Sequence, residues 1–195
     1  MIFEVLHILT KQVNDYLEAE GMQTPVVLDN IAFVDSHEPN SPLKDAVALS
    51  LINIEEEVTL KNHFNRQVSN DSVTYKNPII YLNLYLLFAA NRDTYTISLR
   101  NISKISEFFQ GKKVFTQNNT TYNRNDIDLS GISNFKFTVE LYTPTFEEMN
   151  FVWSTLGGKQ LPSLLYKLSL VEIERDVTSK KGVVITGLPR NINRN

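Results

Sequence analysis

Apolar residues recur at helical spacing over the first twenty positions of the chain. Ile2, Leu6, Leu9 and Val13 fall on one side, and polar side chains take the other side. Gly21 follows the last polar turn, where a left-handed helix end favours glycine. The pattern predicts an amphipathic helix that packs on a core through one side.

Strand patterns follow this helix. Two short β-prone segments, Val26–Leu28 and Ile31–Val34, precede a longer apolar one from Ala46 to Ile54. The strongest pattern runs from Pro78 to Ala89, with mostly apolar and aromatic side chains in both alternating positions. Such a strand is typical of the centre of a sheet with a layer on each side. The polar stretch from Asn65 to Asn77 is predicted to be a loop.

The second half of the chain alternates in the same way. Helical spacing covers Asp93 to Gln110, and a strand pattern covers Asn134 to Thr143. A third helix begins at a capping-box pattern, Thr145 with Glu148. The stretch from Pro162 to Glu174 is again a strand. The order predicts an α+β fold, a single mixed or antiparallel sheet with a few packed helices.

Composition limits the function. The 195 residues suit one domain, and a formal net charge of −3 leaves no global basic field for nucleic acid or an anionic membrane. No apolar stretch approaches the roughly 20 residues that span a bilayer, so we expect no membrane insertion. The N-terminus has no signal-peptide pattern, so we expect assembly in the cytoplasm.

No residue pattern indicates catalysis. The chain has no cysteine, which excludes disulfides and thiolate sites. His7, His37 and His63 are not at metal-ligand spacing. The adjacent acids Glu55–Glu57 point apart on a helix or a strand, so they are interpreted as a solvated end. We therefore predict no enzyme, no catalytic residue, no metal and no cofactor.

Three stretches of the chain together follow the pattern of one known family. They are Val47–Glu56 with Leu60–Asn62, Asn77–Leu87 with Phe108–Gln110, and Trp153–Gly158 with Leu161–Lys167. In this order, from the first helix to about Glu174, the chain resembles the cap or tail-terminator family of extracellular contractile injection systems, of the antifeeding-prophage type.

The resemblance implies a phage tail-terminator-like fold and a structural role. Such a protein forms a homo-oligomeric ring, expected to be a hexamer, at the distal end of tube and sheath. The ring stops polymerisation and stabilises the extended sheath, so its partners are the sheath and inner-tube proteins of a particle that is released extracellularly. The expected interface includes Lys61, Asn62, Pro162 and Ser163. Lys61 stands where the family often has Arg, which removes the bidentate form of any contact there.

The C-terminal segment is set apart from the domain, which we place at residues 1–175. Residues 176–195 are predicted to form an arm or an extra hairpin strand. A β-prone run from Val183 to Thr186 lies between glycines and can add to the sheet edge of a neighbour. It can also pair with the chain's own strand from Leu164 to Glu174. In the intermolecular form the expected contacts are Val183, Ile185, Arg190 and Arg194.

Two other functions compete with the cap. A soluble enzyme of unknown substrate would show a cluster of buried polar side chains in a concave pocket. A small ligand-binding module would show a stable monomer with a ligand-sized cavity. A ring-shaped particle would favour the cap.

Overall fold

A computed structural model describes residues 1–35, 41–60, 66–69, 72–76, 79–123, 129, 132, 135–173 and 178–183. Its three helices and nine strands are, in chain order, α1 Ile2–Ala19, β1 Val26–Leu28, β2 Ala46–Glu56, β3 Arg66–Ser69, β4 Ser72–Lys76, β5 Ile80–Asn91, α2 Tyr95–Gly111, β6 Val114–Thr116, β7 Lys136–Tyr142, α3 Phe146–Thr155, β8 Ser163–Ile173 and β9 Thr178–Val183.

The main sheet is mixed and has six strands in the order β1-β2-β5-β8-β7-β6. Strand β1 runs parallel to β2, and the other neighbours are antiparallel. The α+β prediction is confirmed. The described residues also form a second sheet, of three strands in the order β3-β4-β9, which was not predicted from the sequence.

Strand β5 lies inside the main sheet and is buried on both faces, as its pattern predicts. Leu84, Leu86 and Phe88 are fully buried in the larger core, which α1 and α2 cover. Leu87 and Ala89 are fully buried in a smaller core on the opposite face, with Trp153 of α3. Because side chains alternate across a strand, this one segment supplies both cores.

Aromatic rings fill the larger core beneath α2. Phe109 lies 4.4 Å from Tyr166 and 5.6 Å from Phe88, measured between ring centroids. Phe115 stacks on Phe137 at 5.1 Å. These rings come from α2 and four strands, so they fix the position of the helix on the sheet.

Two bulges change which side chains face each core. Strand β2 holds one extra residue between Leu51 and Asn53, and after it Asn53 pairs with Tyr85. The odd-numbered residues of β2 therefore move from the α1/α2 side to the α3 side of the sheet. Glu55, opposite Asn83, consequently lies on the α3 side. A second bulge lies in β8 between Leu168 and Val171, which pair with Leu84 and Leu82 of β5.

Two local predictions are wrong. The segment Ile31–Phe33 forms a 3₁₀ turn and not a strand, because Asn30 caps the turn by accepting from the Ala32 amide at 3.0 Å and Ser50 accepts from the Ile31 amide at 2.9 Å. The predicted loop at 65–77 contains β3 and β4, which pair as a hairpin. The third strand of that sheet, β9, is about one hundred residues away, so local spacing gave no signal for the pairing.

Strand β9 pairs with β4 of the same chain, not with β8. Its register sets Thr178 beside Lys76 and Val183 beside Ser72. Residues 178–183 thus take part in the protomer's own smaller sheet. The predicted division at residue 175 stays a prediction, and residues 184–195 lie outside the described part of the chain.

The double burial of β5 makes a direct prediction about stability. Leu86→Ala should lower the free energy of unfolding by about 2–5 kcal/mol, because Leu86 has no exposed surface and the change leaves a cavity. The matched change Leu99→Ala, on α2 where the leucine is 42% exposed, should cost well under half as much. Urea unfolding at constant pH measures both, and equal losses would contradict the double-layer packing.

Candidate functional site

Helix α3 packs on the smaller core through Trp153, and polar side chains lie beyond that core on the same face of the main sheet. At the far end of β2, the carboxylate of Glu57 is held by three hydrogen bonds. Thr59 donates from its hydroxyl at 2.6 Å and from its amide at 3.2 Å, and Asn83 donates from its side-chain amide at 3.0 Å. The Glu57 backbone amide donates to the Tyr81 carbonyl at 2.8 Å. The carboxylate is therefore fixed beside β5.

Tyrosines connect the next carboxylates. Tyr85 donates its hydroxyl hydrogen to Glu55 at 2.8 Å and meets Tyr142 edge to face at 5.3 Å. Tyr142 donates to Glu148 of α3 at 3.3 Å. The Lys167 ammonium lies 5.8 Å from the centre of the Tyr85 ring.

Strand register completes this surface. Glu140 pairs with Lys167, and Lys167 pairs with Tyr85, so the three stand in one row across β7, β8 and β5. Glu140 shares its side of β7 with Tyr142, which packs in the smaller core on the α3 side. We call this surface the acidic face. It consists of Glu55, Glu57, Asn83, Tyr85, Glu140, Tyr142, Glu148 and Lys167.

The acidic face is electronegative. Hydrogen bonds from Thr59 and then Asn83 hold the pKa of Glu57 at about 2, so the group is ionised at neutral pH. The hydrogen bond to Glu55, with burial, raises the pKa of Tyr85 to about 12. The charge of Glu148 raises the pKa of Tyr142. Four carboxylates against one ammonium leave a formal charge of −3 on this surface at neutral pH.

One buried polar atom of the acidic face lacks a hydrogen-bond partner in the described structure. Asn83 is 2% exposed and donates its side-chain amide to Glu57. Its side-chain oxygen Oδ1 is buried and has no hydrogen-bond partner in the described structure. A buried acceptor without a donor is costly, so a donor supplied from outside the described residues would be stabilising here.

The acidic face was not among the predicted site residues. Asn83 and Tyr85 fall within the strand predicted from Pro78 to Ala89, and Glu55–Glu57 were interpreted as a solvated end. The polar positions in an otherwise apolar strand were the available signal. Their partners Tyr142, Glu148 and Lys167 come from β7, α3 and β8, and only the fold brings them together.

The structure does not bring the predicted site residues into one place. Pro162 and Ser163 are partly buried at the start of β8, where the Pro162 carbonyl accepts from the Ala90 amide at 2.9 Å. Glu57, which precedes the predicted contacts Lys61 and Asn62 in the chain, bonds to Tyr81. Tyr81 lies eight residues along β5 from Ala89, the partner of Ser163, which is about 27 Å at 3.4 Å per residue. Val183 ends β9. The other predicted contacts lie outside the described residues: Lys61, Asn62, Ile185, Arg190 and Arg194.

Helix α3 presents aromatic side chains to solvent. Phe146 is 98% exposed and Phe151 is 61% exposed, while Trp153 is 5% exposed and belongs to the core. The predicted capping box is confirmed, since the Thr145 hydroxyl accepts from the Glu148 amide at 3.2 Å and Glu148 accepts from the Thr145 amide at 2.8 Å. The cap fixes the start of α3 next to the acidic face.

Two hollows on the described surface are open to solvent. One of about 420 Å³ lies between α2 and β7, and one of about 460 Å³ follows α1. Within the described ranges no three His, Asp or Glu side chains are placed to hold a metal ion, and His37 and His63 fall outside those ranges. No helix in the described part of the chain has the length and apolar character to cross a membrane.

Two solved structures with a similar fold are described as a sheath/tube terminator and a tube terminating cap. A cryo-EM structure described as an extracellular contractile injection system, PVC sheath/tube terminator in the extended state, matches with a TM-score of 0.60 and 13% identity, over 100% of this chain and 64% of that chain. The anti-feeding prophage cap, described as the AFP tube terminating cap, matches with a TM-score of 0.63 and 13% identity, over 96% and 60%. The chain thus spans less than two thirds of either.

The sequence itself gives the family. The profile of the Pvc16 N-terminal domain matches residues 4–186, and the chain belongs to that family. The predicted resemblance to the caps of contractile injection systems is confirmed. No curated protein matches the chain.

The bonds to Glu57 predict its titration. Thr59→Ala removes the 2.6 Å hydrogen bond from the Thr59 hydroxyl, so the pKa of Glu57 should rise from about 2 toward its ordinary value of 4.5. Because the folded pKa lies below the unfolded one, the associated stability is present above about pH 4.5 and is lost as the pH falls toward 2. The acid limb of stability should therefore be shallower in Thr59→Ala.

Carbon-detected NMR titration of the Glu57 carboxyl measures this shift. Thr155→Ala removes an exposed threonine on α3 that bonds its own helix, and it should leave the Glu57 curve unchanged. An unshifted curve in Thr59→Ala would show that these bonds do not hold the carboxylate.

Proposed function

We propose that this chain is the structural cap of a contractile injection system, a ring at the distal end of tube and sheath. The observation that carries the proposal is the match of the whole fold to two tail-terminating caps, together with membership of the Pvc16 N-terminal domain family. The ring stops polymerisation and keeps the sheath extended. Its partners are the sheath and inner-tube proteins.

The described surface supports a role in assembly. Phe146 and Phe151 expose aromatic area, and the acidic face adds two tyrosines within a charged surround. Aromatic residues are enriched where proteins contact each other, because their rings supply much buried area at a low cost in conformational entropy. Because the main sheet is packed on both faces, the exposed aromatic side chains of α3 and the acidic face keep fixed positions relative to each other. A ring of identical subunits requires contact surfaces with such fixed positions.

The ring is expected to be sixfold. Head-to-tail contacts that close on themselves generate rings, and a cap shares the symmetry of the tube and sheath that it ends. Assembly takes place in the cytoplasm and the finished particle is released. The role needs no catalytic centre, cofactor or nucleic acid.

Removing the protein should alter particle length. When sheath and tube proteins are expressed without it, particles should vary widely in length, and adding the intact chain should restore a narrow distribution. Phe146→Ser with Phe151→Ser should restore it less well if α3 contacts a neighbour, whereas the control Leu99→Ser on α2 should behave like the intact chain. Negative-stain images give the lengths. A narrow distribution in the absence of the protein would contradict the capping role.

A further inference from the structure

The last part of the sequence is basic and carries no acid. From Val177 to Asn195 the chain has Lys180, Lys181, Arg190 and Arg194, and neither Asp nor Glu. The whole chain is nevertheless acidic, with a formal net charge of −3. The charges are therefore divided between a basic C-terminal segment and acidic surfaces elsewhere.

The acidic face has the matching charge and an unfilled hydrogen-bond acceptor. The negative charge of its four carboxylates exceeds the single positive charge of Lys167. The Glu57 carboxylate is held in place by two hydrogen bonds from Thr59 and one from the Asn83 side-chain amide. The buried Oδ1 of Asn83 lacks a donor within the described structure. Arginine supplies several N–H donors and no acceptor, which suits carboxylates and an amide oxygen together.

The direction of β9 bears on which copy supplies the arginines. The strand enters beside Lys76, close in sequence to the start of β5, and leaves beside Ser72. Over that distance the chain runs about 14 Å along the smaller sheet, away from its junction with the main sheet. The twelve residues after Val183 would have to reverse direction to return to the protomer's own acidic face. This direction favours a second copy as the source of the arginines.

We propose that residues 184–195 bind the acidic face of a second copy of this chain. Arg190 and Arg194 pair with its carboxylates, and one of them donates to Asn83 Oδ1. When extended, four residues span about 13 Å. Glu55 on β2 and Glu140 on β7 lie three strand spacings apart and two residues out of row, which is about 16 Å, so two long arginine side chains on such a segment can reach both. Tyr85 and Tyr142 offer ring faces to the guanidinium groups between them.

This contact would make the ring interface head-to-tail. One subunit gives its C-terminal segment and receives that of the next, a pattern that closes into a ring. The inference rests on the proposed ring, and it names the two surfaces that meet in it.

Photo-crosslinking in assembled particles tests the contact. A benzoylphenylalanine placed at Ile192, between the two arginines, in a mixture of isotope-labelled and unlabelled full chains, should link to peptides that carry Glu55–Glu57 or Asn83–Tyr85 of the other isotope. Links confined to one copy, or to other surfaces, would overturn the inference while the cap remains on the particle. Absence of the protein from the particle ends would overturn the proposed function as well.

Charge reversal gives an independent measurement. Glu55→Lys with Glu140→Lys should weaken ring formation about tenfold or more, and Arg190→Glu with Arg194→Glu should do the same. All four changes in one chain should restore most of the loss. Neither carboxylate holds a backbone amide in the described structure, and melting temperatures check the folding of every variant.

The matched control is Asp15→Lys with Glu18→Lys on the exposed side of α1, which changes the net charge equally and should leave ring formation unchanged. If the variant with all four charge reversals does not recover ring formation, or if the control loses it equally, the acidic face and the C-terminal segment do not meet.

Discussion

Burial of β5 on both of its faces is the constraint on which the rest of the structure depends. Leu86 and Leu87 are neighbours in the chain, yet they belong to different cores, one beneath α1 and α2 and the other beneath α3. A change in β5 therefore affects both layers at once. Because the strand also pairs along its length with β2 and β8, its position sets the register of the acidic face. The surface that we propose for assembly is thus fixed by the same residues that form the core.

The acidic face exists because the strand pattern is interrupted. Without the extra residue in β2, Glu55 would project to the α1/α2 side and could not reach Tyr85. Asn83 takes a buried position on a strand that is otherwise apolar, and its unpaired oxygen has a cost that a core leucine would avoid. Proteins commonly accept such costs where a partner binds. The unpaired oxygen of Asn83 on this polar, ordered surface is one of the observations behind the contact that we propose.

Sequence patterns predicted the elements that local physics determines. The central strand, α1, α2 and the capping box of α3 follow from spacing and capping, which act within a few residues. The hairpin of β3 and β4 was predicted as a loop because the stretch is polar, and its pairing with β9, about one hundred residues away, leaves no local periodicity. The acidic face was missed for the same reason. Tyr85 and Glu55 could be assigned to strands, but not to one another, until register and bulge were known.

The position of the protein on the particle is the central claim, and direct labelling tests it. The chain has no cysteine, so Ser154→Cys on the exposed side of α3 gives a single thiol for a gold label. Electron microscopy of labelled particles should show gold clustered at one end only, at the end away from the baseplate. Gold spread along the sheath, found at the baseplate end or absent from the particles would contradict the account.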